Sequence, residues 1–254
     1  MTNSSTVEKS ETSWKALYRV GGIAILIAVI FFRRNLGTEL TTFKGFGIFT
    51  VPETAPTSAL DWFTLLQNDK FIGLALFDVA DLINYALVGL FFLALYGALR
   101  QTNKGAMVAA TAFGLIGVGV YLASNQAFSM LVLSEHYAAA TTDAQRSTFL
   151  AAGEALLAIH NPSTIYHGTG IYASLFLVPL AGLIISIVML RSDVFSKATA
   201  IVGILANGIV LGYFIALVFA PALIWIPPTV SAPFRVIWYI MIAIKLFKLG
   251  KDGK

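Results

Sequence analysis

One stretch limits the folds open to this chain more than any other. Residues 71–99, FIGLALFDVADLINYALVGLFFLALYGAL, are apolar almost throughout and lie between two basic residues. At a rise of ~1.5 Å per residue, a helix of this length crosses a bilayer together with its interfaces. The stretch also carries Asp78, Asp81 and Asn84. Ionisable groups are costly in hydrocarbon and usually face other helices or water, so this stretch predicts the polar centre of a helical membrane bundle.

The composition extends the membrane class to the whole chain. Of the 254 residues, 57% are hydrophobic and only 12% are charged, whereas soluble domains carry roughly 25% charged residues. The length suits about six membrane spans and their loops. The absence of cysteine excludes disulfides, thiol catalysis and thiolate metal sites. The basic residues are spread over the ends of apolar segments instead of one face, which excludes a nucleic-acid partner.

Further apolar stretches complete a predicted set of six spans and an all-α fold. The predicted spans cover residues 16–32, 71–99, 105–133, 165–190, 198–220 and 234–247. Residues 1–13 are polar and predict a disordered tail, which leaves residues 14–250 as the six-span transmembrane domain. Each long connection between spans contains one short interfacial helix. Ser58 caps the first helix, and Thr142 with Gln145 forms a capping box at the start of the second.

Aromatic residues at the ends of the predicted segments, among them Trp62, Trp238 and Tyr239, are typical of interfacial belts. Glu154 lies in the second interfacial helix and is predicted to face water.

The basic residues also predict the orientation of this polytopic membrane helix bundle. With six spans both termini lie on one side, and that side carries 11 of the 17 Lys and Arg residues. Because basic residues are enriched on the cytoplasmic side, both termini are predicted to be cytoplasmic in the plasma membrane. The two long connections then lie outside, together with Arg33, Arg34 and Arg235.

Several stretches of the chain resemble one family of bacterial membrane proteins. They read YRVGGIAILIAVI, IGLALFDVADLINYALVGLFFLALYGALRQTN, FLAAGEALLAIHN, LRSDVFSKATAIVGILANGIVLGYF and RVIWYIMIAIKLFKLG. Together they cover most of the chain, which is similar to the uncharacterised six-span family of domain of unknown function 4386 (DUF4386). The resemblance implies a six-helix membrane fold and no particular activity.

The acidic residues of the second span are the first candidate site. Asp78, Asp81 and Asn84 recur every three residues, so each is turned by ~60° from the last and the three share one broad helix face. If hydrocarbon begins near Phe71, Asp81 lies ~15 Å deep; if it begins near Leu76, both aspartates lie only ~3 to 8 Å deep. A polar pocket or ion path and an interfacial position therefore both stay open.

Polar residues on two other spans lie at the same predicted level. Asn125 and Gln126 could close on the aspartates, or they could hydrogen-bond a neighbouring helix. His160 and His167 bracket the start of the fourth span. A histidine beside a carboxylate can relay protons or bind a metal, but a spacing of seven is not that of a helical zinc motif. The sequence therefore favours a helix-capping or headgroup role for both histidines.

Enzyme signatures are missing from the sequence. There is no G-x-S-x-G, no H-E-x-x-H and no paired-aspartate protease motif. The sequence therefore assigns no catalytic residue, no metal ligand and no cofactor.

Three functions stay open on the sequence. The leading hypothesis is small-molecule or ion binding and transport through an outward-facing polar pocket. Its predicted ligand-binding residues are Asp78, Asp81, Asn84, Asn125, Gln126 and His167. The alternative is a structural or accessory membrane subunit without a ligand, which could form a homo-oligomer through Ala110, Gly114 and Gly117. A lesser alternative is a membrane-embedded lipid-modifying enzyme that uses Asp78 or Asp81 with His167. The predicted partners are the lipid bilayer, the transported ligand and a second copy of the chain.

Overall fold

The computed structural model describes residues 3–31, 52–164 and 167–251. In these ranges the chain forms helices joined by turns, with no strand, which confirms the all-α class. Two internal stretches lie outside the described residues, 32–51 and 165–166, as do residues 1–2 and 252–254. The two internal stretches contain the first half of the first long connection and the predicted start of the fourth span.

The helices follow the chain in this order. They are α1 (Asn3–Phe31), α2 (Ala59–Asn68), α3 (Lys70–Leu76), α4 (Val79–Leu99), α5 (Lys104–Ser124), α6 (Ala127–Ala139), α7 (Asp143–Ile159), α8 (Thr169–Met189), α9 (Lys197–Phe219) and α10 (Ile226–Lys251). A short 3-10 turn, Pro221–Leu223, separates α9 from α10.

Membrane-length helices dominate the described part of the chain. Five segments there are long and apolar enough to cross a bilayer: Val79–Leu99, Lys104–Ala139, Thr169–Met189, Lys197–Phe219 and Pro221–Lys251. The chain is therefore a multi-pass helical membrane protein. The predicted first span lies in α1, and the count of six spans stays a prediction.

The first helix is longer than the sequence pattern suggests. It begins at Asn3, inside the segment 1–13 for which the sequence predicts a disordered tail. Extending an existing helix costs much less than nucleating one, so an apolar span can carry polar residues with it. The domain boundary at residue 14 stays a prediction.

Two predicted spans are interrupted, which corrects the continuous helices expected over residues 71–99 and 105–133. The first is broken at Phe77 and Asp78, between α3 and α4. The second is broken at Asn125 and Gln126, between α5 and α6. Hydropathy alone cannot detect either break, because apolar residues continue on both sides of each.

The last span begins earlier than predicted. It was expected over residues 234–247, but α10 begins at Ile226. Pro227 and Pro228 fit there because the first turn of a helix has no intrahelical partner for its N–H groups. Arg235, predicted to lie at the outer end of the span, is therefore nine residues, or ~14 Å, inside the helix.

The chain divides into two compact units. The first comprises residues 1–32, 84–119 and 174–254. In it α10 packs against both α1 and α9. Its core includes Trp238, whose ring meets Phe91 edge to face with centroids 5.7 Å apart. Trp238 and Tyr239 were predicted to form an interfacial belt, but they are 2% and 7% exposed and belong to this core.

The small residues of α5 pack inside the first unit. Ala110 is fully buried. A Cβ added at Gly114 would lie 2.6 Å from Cδ2 of Phe92, and one at Gly117 would lie 2.9 Å from Cγ2 of Val178. These positions allow close helix approach within the chain. That the protein forms a homo-oligomer stays a prediction.

The second unit comprises residues 33–83 and 120–173 and contains α2, α3, α6 and α7. Its helix starts confirm the two predicted caps. The Ser58 hydroxyl accepts from the backbone N–H of Asp61, and Thr142 forms a reciprocal capping box with Gln145. Each such cap typically stabilises a helix by about 1 kcal/mol. The local polar chemistry of these starts is therefore what fixes where α2 and α7 begin.

The helix α2 is held by protein on its apolar side. Trp62, predicted as an interfacial anchor, is fully buried, with its ring 4.6 Å from that of Phe77. The helix α7 approaches α2 closely at Gly153, where a Cβ would lie 2.8 Å from the Ala59 Cβ. Glu154 was expected only to face water, but its Oε1 accepts a 2.7 Å hydrogen bond from the Ala59 N–H. This bond satisfies one of the free N–H groups at the start of α2.

Candidate functional site

The break between α3 and α4 is centred on Asp78. Its backbone has φ 71°, the left-handed region, which costs a non-glycine residue roughly 1–2 kcal/mol and which Asp tolerates better than most. The Asp78 carbonyl accepts a 3.2 Å hydrogen bond from Nδ2 of Asn125. Such conformations persist only when the surroundings compensate for them, and this bond is one compensating contact.

The break between α5 and α6 supplies that contact. The Asn125 Oδ1 accepts from the backbone N–H of Ala127 at 3.0 Å, at the start of α6, while its Nδ2 donates to the Asp78 carbonyl. Gln126 Nε2 donates to the carbonyl of Ser124 at 3.3 Å, at the end of α5. One asparagine side chain therefore satisfies backbone groups freed by both breaks, and it joins the two breaks directly.

The Asp78 carboxylate pairs with a histidine. Its Oδ2 lies 3.0 Å from Nε2 of His160, and the two residues are 7% and 2% exposed. His160 ends α7 as its C-cap, and its ring stacks on that of Phe77 with centroids 5.8 Å apart. The His160 Nδ1 is buried and forms no hydrogen bond within the part of the chain described.

A second carboxylate lies one helical turn beyond Asp78. Asp81 is 2% exposed, and its Oδ2 accepts a 2.9 Å hydrogen bond from the hydroxyl of Tyr121. Asp81 is in the first turn of α4, where the helix dipole favours a negative charge. The Tyr121 ring meets that of His160 edge to face at 6.1 Å. We call Asp78, Asp81, Tyr121, Asn125 and His160 the broken-helix cluster.

The structure brings together part of the predicted ligand set. Asp78, Asp81 and Asn125 belong to the broken-helix cluster, and Gln126 follows Asn125 in the same break. His167 lies nearby, with its ring 6.4 Å from that of His160 and 5.8 Å from that of Tyr172. Asn84 belongs to the other compact unit and is half-buried there. That these residues bind a ligand stays a prediction.

Two residues of the cluster were not in that predicted set. His160 was expected to cap a helix or face headgroups; it does cap α7, but its ring is buried against Asp78. The buried face of α7 carries Gly153, Leu157 and His160 at helical spacing, which is the signal that could have identified it. Tyr121 precedes Asn125 by four residues, so the two share one helix face.

The length of α4 bears on the depth of the aspartates. Its 21 residues span ~31 Å without α3, which matches the hydrocarbon thickness of a bilayer. Asp78 and Asp81 lie at the start of this helix, which favours the shallower of the two predicted placements. They are nevertheless sheltered by protein instead of exposed at its surface.

The chemistry available to the cluster follows from its groups. Across residues 3–31, 52–164 and 167–251, no three His, Cys, Asp or Glu side chains converge to hold a metal ion. A buried imidazole beside a carboxylate can accept, hold and pass on a proton. Polar residues inside membrane bundles commonly line ion or proton pathways.

These features define a class of membrane protein. Membrane-length helices, together with a buried group of acidic and imidazole side chains beside two helix breaks, are typical of polytopic membrane proteins with a polar centre. The chain belongs to the family described as Domain of unknown function (DUF4386), whose model matches residues 16–248. This confirms the resemblance noted in the sequence. Comparison with curated proteins gave no match, and neither did comparison with solved structures.

Proposed function

We propose that this protein binds and transports a small molecule or ion, and that the Asp78–His160 pair holds a proton in the process. The observation that best supports this proposal is that the single Asn125 side chain hydrogen-bonds to backbone groups at both helix breaks. In membrane proteins non-helical backbone is tolerated where it is buried in protein or lines a cavity. Broken helices form the ligand and ion sites of many transporters.

A proton suits the cluster better than a larger ion in this conformation. Asp78, Asp81 and His160 are each less than a tenth exposed. The Asp78 Oδ2 already lies at hydrogen-bond distance from the His160 Nε2, and the Asp81 Oδ2 already accepts a hydrogen bond from the Tyr121 hydroxyl. A proton can be exchanged on such a pair without opening the structure, whereas a hydrated cation requires space. A larger ligand would need the two breaks to move apart.

The proposed topology keeps the six spans and both cytoplasmic termini in the plasma membrane. It is supported by the distribution of Lys and Arg along the chain. In that topology the broken-helix cluster lies near the outer surface, so its proton would be taken from the outside. A cysteine introduced in the described part of the first long connection tests this, because the natural chain has none.

The test of the proposal uses purified protein in proteoliposomes with a trapped pH indicator. An imposed pH gradient should give a proton flux that Asp78→Asn and His160→Gln each reduce. Infrared difference spectra between neutral and acidic buffer should contain a carboxyl band that Asp78→Asn removes. The matched control is Asp193→Asn, an exposed carboxylate in the turn between α8 and α9.

The double variant Asp78→Asn with Asp81→Asn gives the decisive test of the proposed transport function. If folding, proton flux and the carboxyl band all match the natural protein, the cluster has no transport role. A flux lost in Asp193→Asn as well would indicate a general effect on the vesicles.

One observation favours a second candidate, a membrane-embedded lipid-modifying enzyme. A carboxylate 3.0 Å from an imidazole is the arrangement of a general base and the group that orients it. His160 then takes the role that the sequence assigned to His167. Mass spectrometry of lipids after incubation with the protein distinguishes the candidates. A new lipid product, lost in His160→Gln, would support the enzyme and count against a purely transporting role.

A further inference from the structure

The loop between α7 and α8, residues 160–168, carries a histidine near each end. His160 opens it as the C-cap of α7, and His167 lies close to its other end. The backbone N–H of Gly168 donates to the carbonyl of Ile159 at 2.9 Å, which closes the loop and brings the two histidines together. A Cβ added at Gly168 would lie 3.0 Å from that carbonyl oxygen, so this close approach favours glycine. We call residues 160–168 the α7–α8 loop.

The surroundings of His167 hold it beside His160. Its backbone N–H donates to the hydroxyl of Tyr172 at 3.3 Å, and the rings of His167 and Tyr172 meet edge to face with centroids 5.8 Å apart. The loop is also tied to the segment before α2, because the Ser163 hydroxyl donates to the Pro56 carbonyl. His167 is half-buried, whereas His160 is 2% exposed. The two residues therefore lead from a partly accessible imidazole to an enclosed one.

The distance between the two imidazole rings suits a contact through water. Their centroids are 6.4 Å apart. Two imidazoles joined by a direct hydrogen bond have centroids about 5 Å apart, which is ~3 Å between the nitrogens plus the two ring radii. One bridging water extends this reach to about 7 Å. A proton can therefore pass between the rings through a single water molecule, but not directly.

The second ring nitrogen of His160 is the receiving atom. Its Nε2 lies 3.0 Å from Oδ2 of Asp78, whereas its Nδ1 is buried and forms no hydrogen bond with the residues that the structure describes. Among those residues, Asp78, Tyr121 and His167 face this ring with groups that can exchange a proton. The Tyr121 hydroxyl donates to Asp81. Because a free phenol has a pKa of about 10 and a free imidazole one of about 6.5, His167 is the group suited to supply a proton near neutral pH.

We infer that His167 is a proton relay for the Asp78–His160 pair. His167 takes up a proton from the outer water and releases one to a bridging water molecule, which gives one of its own protons to Nδ1 of His160. The His160 Nε2 then releases its proton to Oδ2 of Asp78. The carboxylate becomes a neutral carboxyl group, both imidazoles return to their neutral forms, and the bridging water is unchanged. This inference rests on the proposed function and gives the route by which its proton arrives.

The relay is tested by the rate at which the carboxyl group is protonated. Protein in lipid nanodiscs is acidified by a flash-activated photoacid, and the Asp78 carboxyl band is followed by time-resolved infrared spectroscopy. His167→Gln should slow the growth of the band by on the order of tenfold and leave its final amplitude unchanged. The matched control is His136→Gln, exposed on α6 in the same unit, which should change neither quantity. Equal rates in His167→Gln and the natural protein would overturn the inference.

Chemical rescue separates a relay from a purely structural role. His167→Ala removes the ring, and free imidazole in the buffer should restore most of the lost rate because it can carry protons in place of the side chain. Phosphate at the same pH and buffering capacity should not. Nanodiscs are used because imidazole crosses vesicle membranes. A rate that imidazole fails to restore, or that phosphate restores equally, would contradict the relay.

The natural protein decides the question if either variant loses amplitude of the band. The chain has three histidines, so selective ¹⁵N labelling gives a simple spectrum in which the titration of His167 can be followed by NMR. The initial rate of band growth, plotted against pH, should follow the protonated fraction of His167. A rate profile that departs from that titration would overturn the inference.

The relay and the proposed function fail in distinguishable ways. If the natural protein has no carboxyl band, the proton site is removed and the relay with it. A band whose rate of growth does not depend on His167 would retain the proton site and refute the relay alone.

Discussion

The conformation of Asp78 gives the sharpest mutational prediction. Its side chain forms a buried 3.0 Å pair with His160, and its backbone lies in the left-handed region at φ 71°. Alanine removes the pair and keeps the backbone strain, whereas glycine removes the pair and relieves the strain. The two substitutions should therefore have different costs, and the difference isolates the backbone.

The magnitudes follow from these two effects. Removing one partner of a buried hydrogen bond to a charged group costs roughly 1.5–3 kcal/mol, so Asp78→Ala should lower the free energy of unfolding by about that amount. Asp78→Gly should cost about 1–2 kcal/mol less, because glycine adopts positive φ without steric strain. The exposed Asp193, changed to alanine or glycine, is the matched control and should stay within about 0.5 kcal/mol of the natural protein.

The assay is reversible unfolding in mixed micelles, followed by intrinsic fluorescence. Equal costs for alanine and glycine at residue 78 would refute the left-handed break between α3 and α4. Costs of less than about 1 kcal/mol for both would refute the buried pair itself.

Three further predictions concern other contacts. Tyr121→Phe leaves the buried Asp81 carboxylate without its hydroxyl donor and should destabilise the protein by about 1.5–3 kcal/mol in the same assay; an unchanged midpoint would contradict the 2.9 Å bond. Hydrogen bonds from Ser58 lower the pKa of Asp61 below its usual value. The start of α2 should thus be fully protected above the usual carboxyl range and lose protection as the pH falls toward the lowered pKa. The effect is small because Asp61 is exposed. Hydrogen-exchange protection factors at the start of α2 that do not change with pH would refute the cap. Gly114→Leu should lower the yield of folded protein because its side chain would overlap a packed ring; normal thermal stability would show that α5 does not approach so closely.

The caps illustrate what the sequence could predict. Ser58 and Thr142 begin their helices through hydrogen bonds to groups three residues away. Such bonds depend on local spacing alone, so they can be predicted from the residue types. The membrane class could also be predicted from the sequence, because it follows from the length and apolarity of the segments.

The pair at the centre of the site could not be predicted in the same way. Asp78 and His160 are 82 residues apart in the chain, and no local pattern encodes which imidazole meets which carboxylate. The break at Asp78 is also hidden, since no glycine or proline marks it and the φ of 71° is compensated by tertiary contacts. Asn125 was noticed as polar, but its role as a bridge between two breaks depends on packing.

The aromatic residues show a related limit. Trp62 and Trp238 lie near the ends of predicted spans, which is typical of interfacial anchors. In the structure both are buried in protein cores. The assignment depended on where each span was drawn, and the last span was drawn eight residues too short at its start.

The most direct test of the account is a double-mutant cycle between Asp78 and His160. Asp78→Gly, His160→Ala and the double variant are compared by their free energies of unfolding. If the two side chains form the buried pair, the coupling energy should be about 1 kcal/mol or more. Additive costs, within about 0.5 kcal/mol, would contradict the pair and remove the basis for a proton site where the two helix breaks meet.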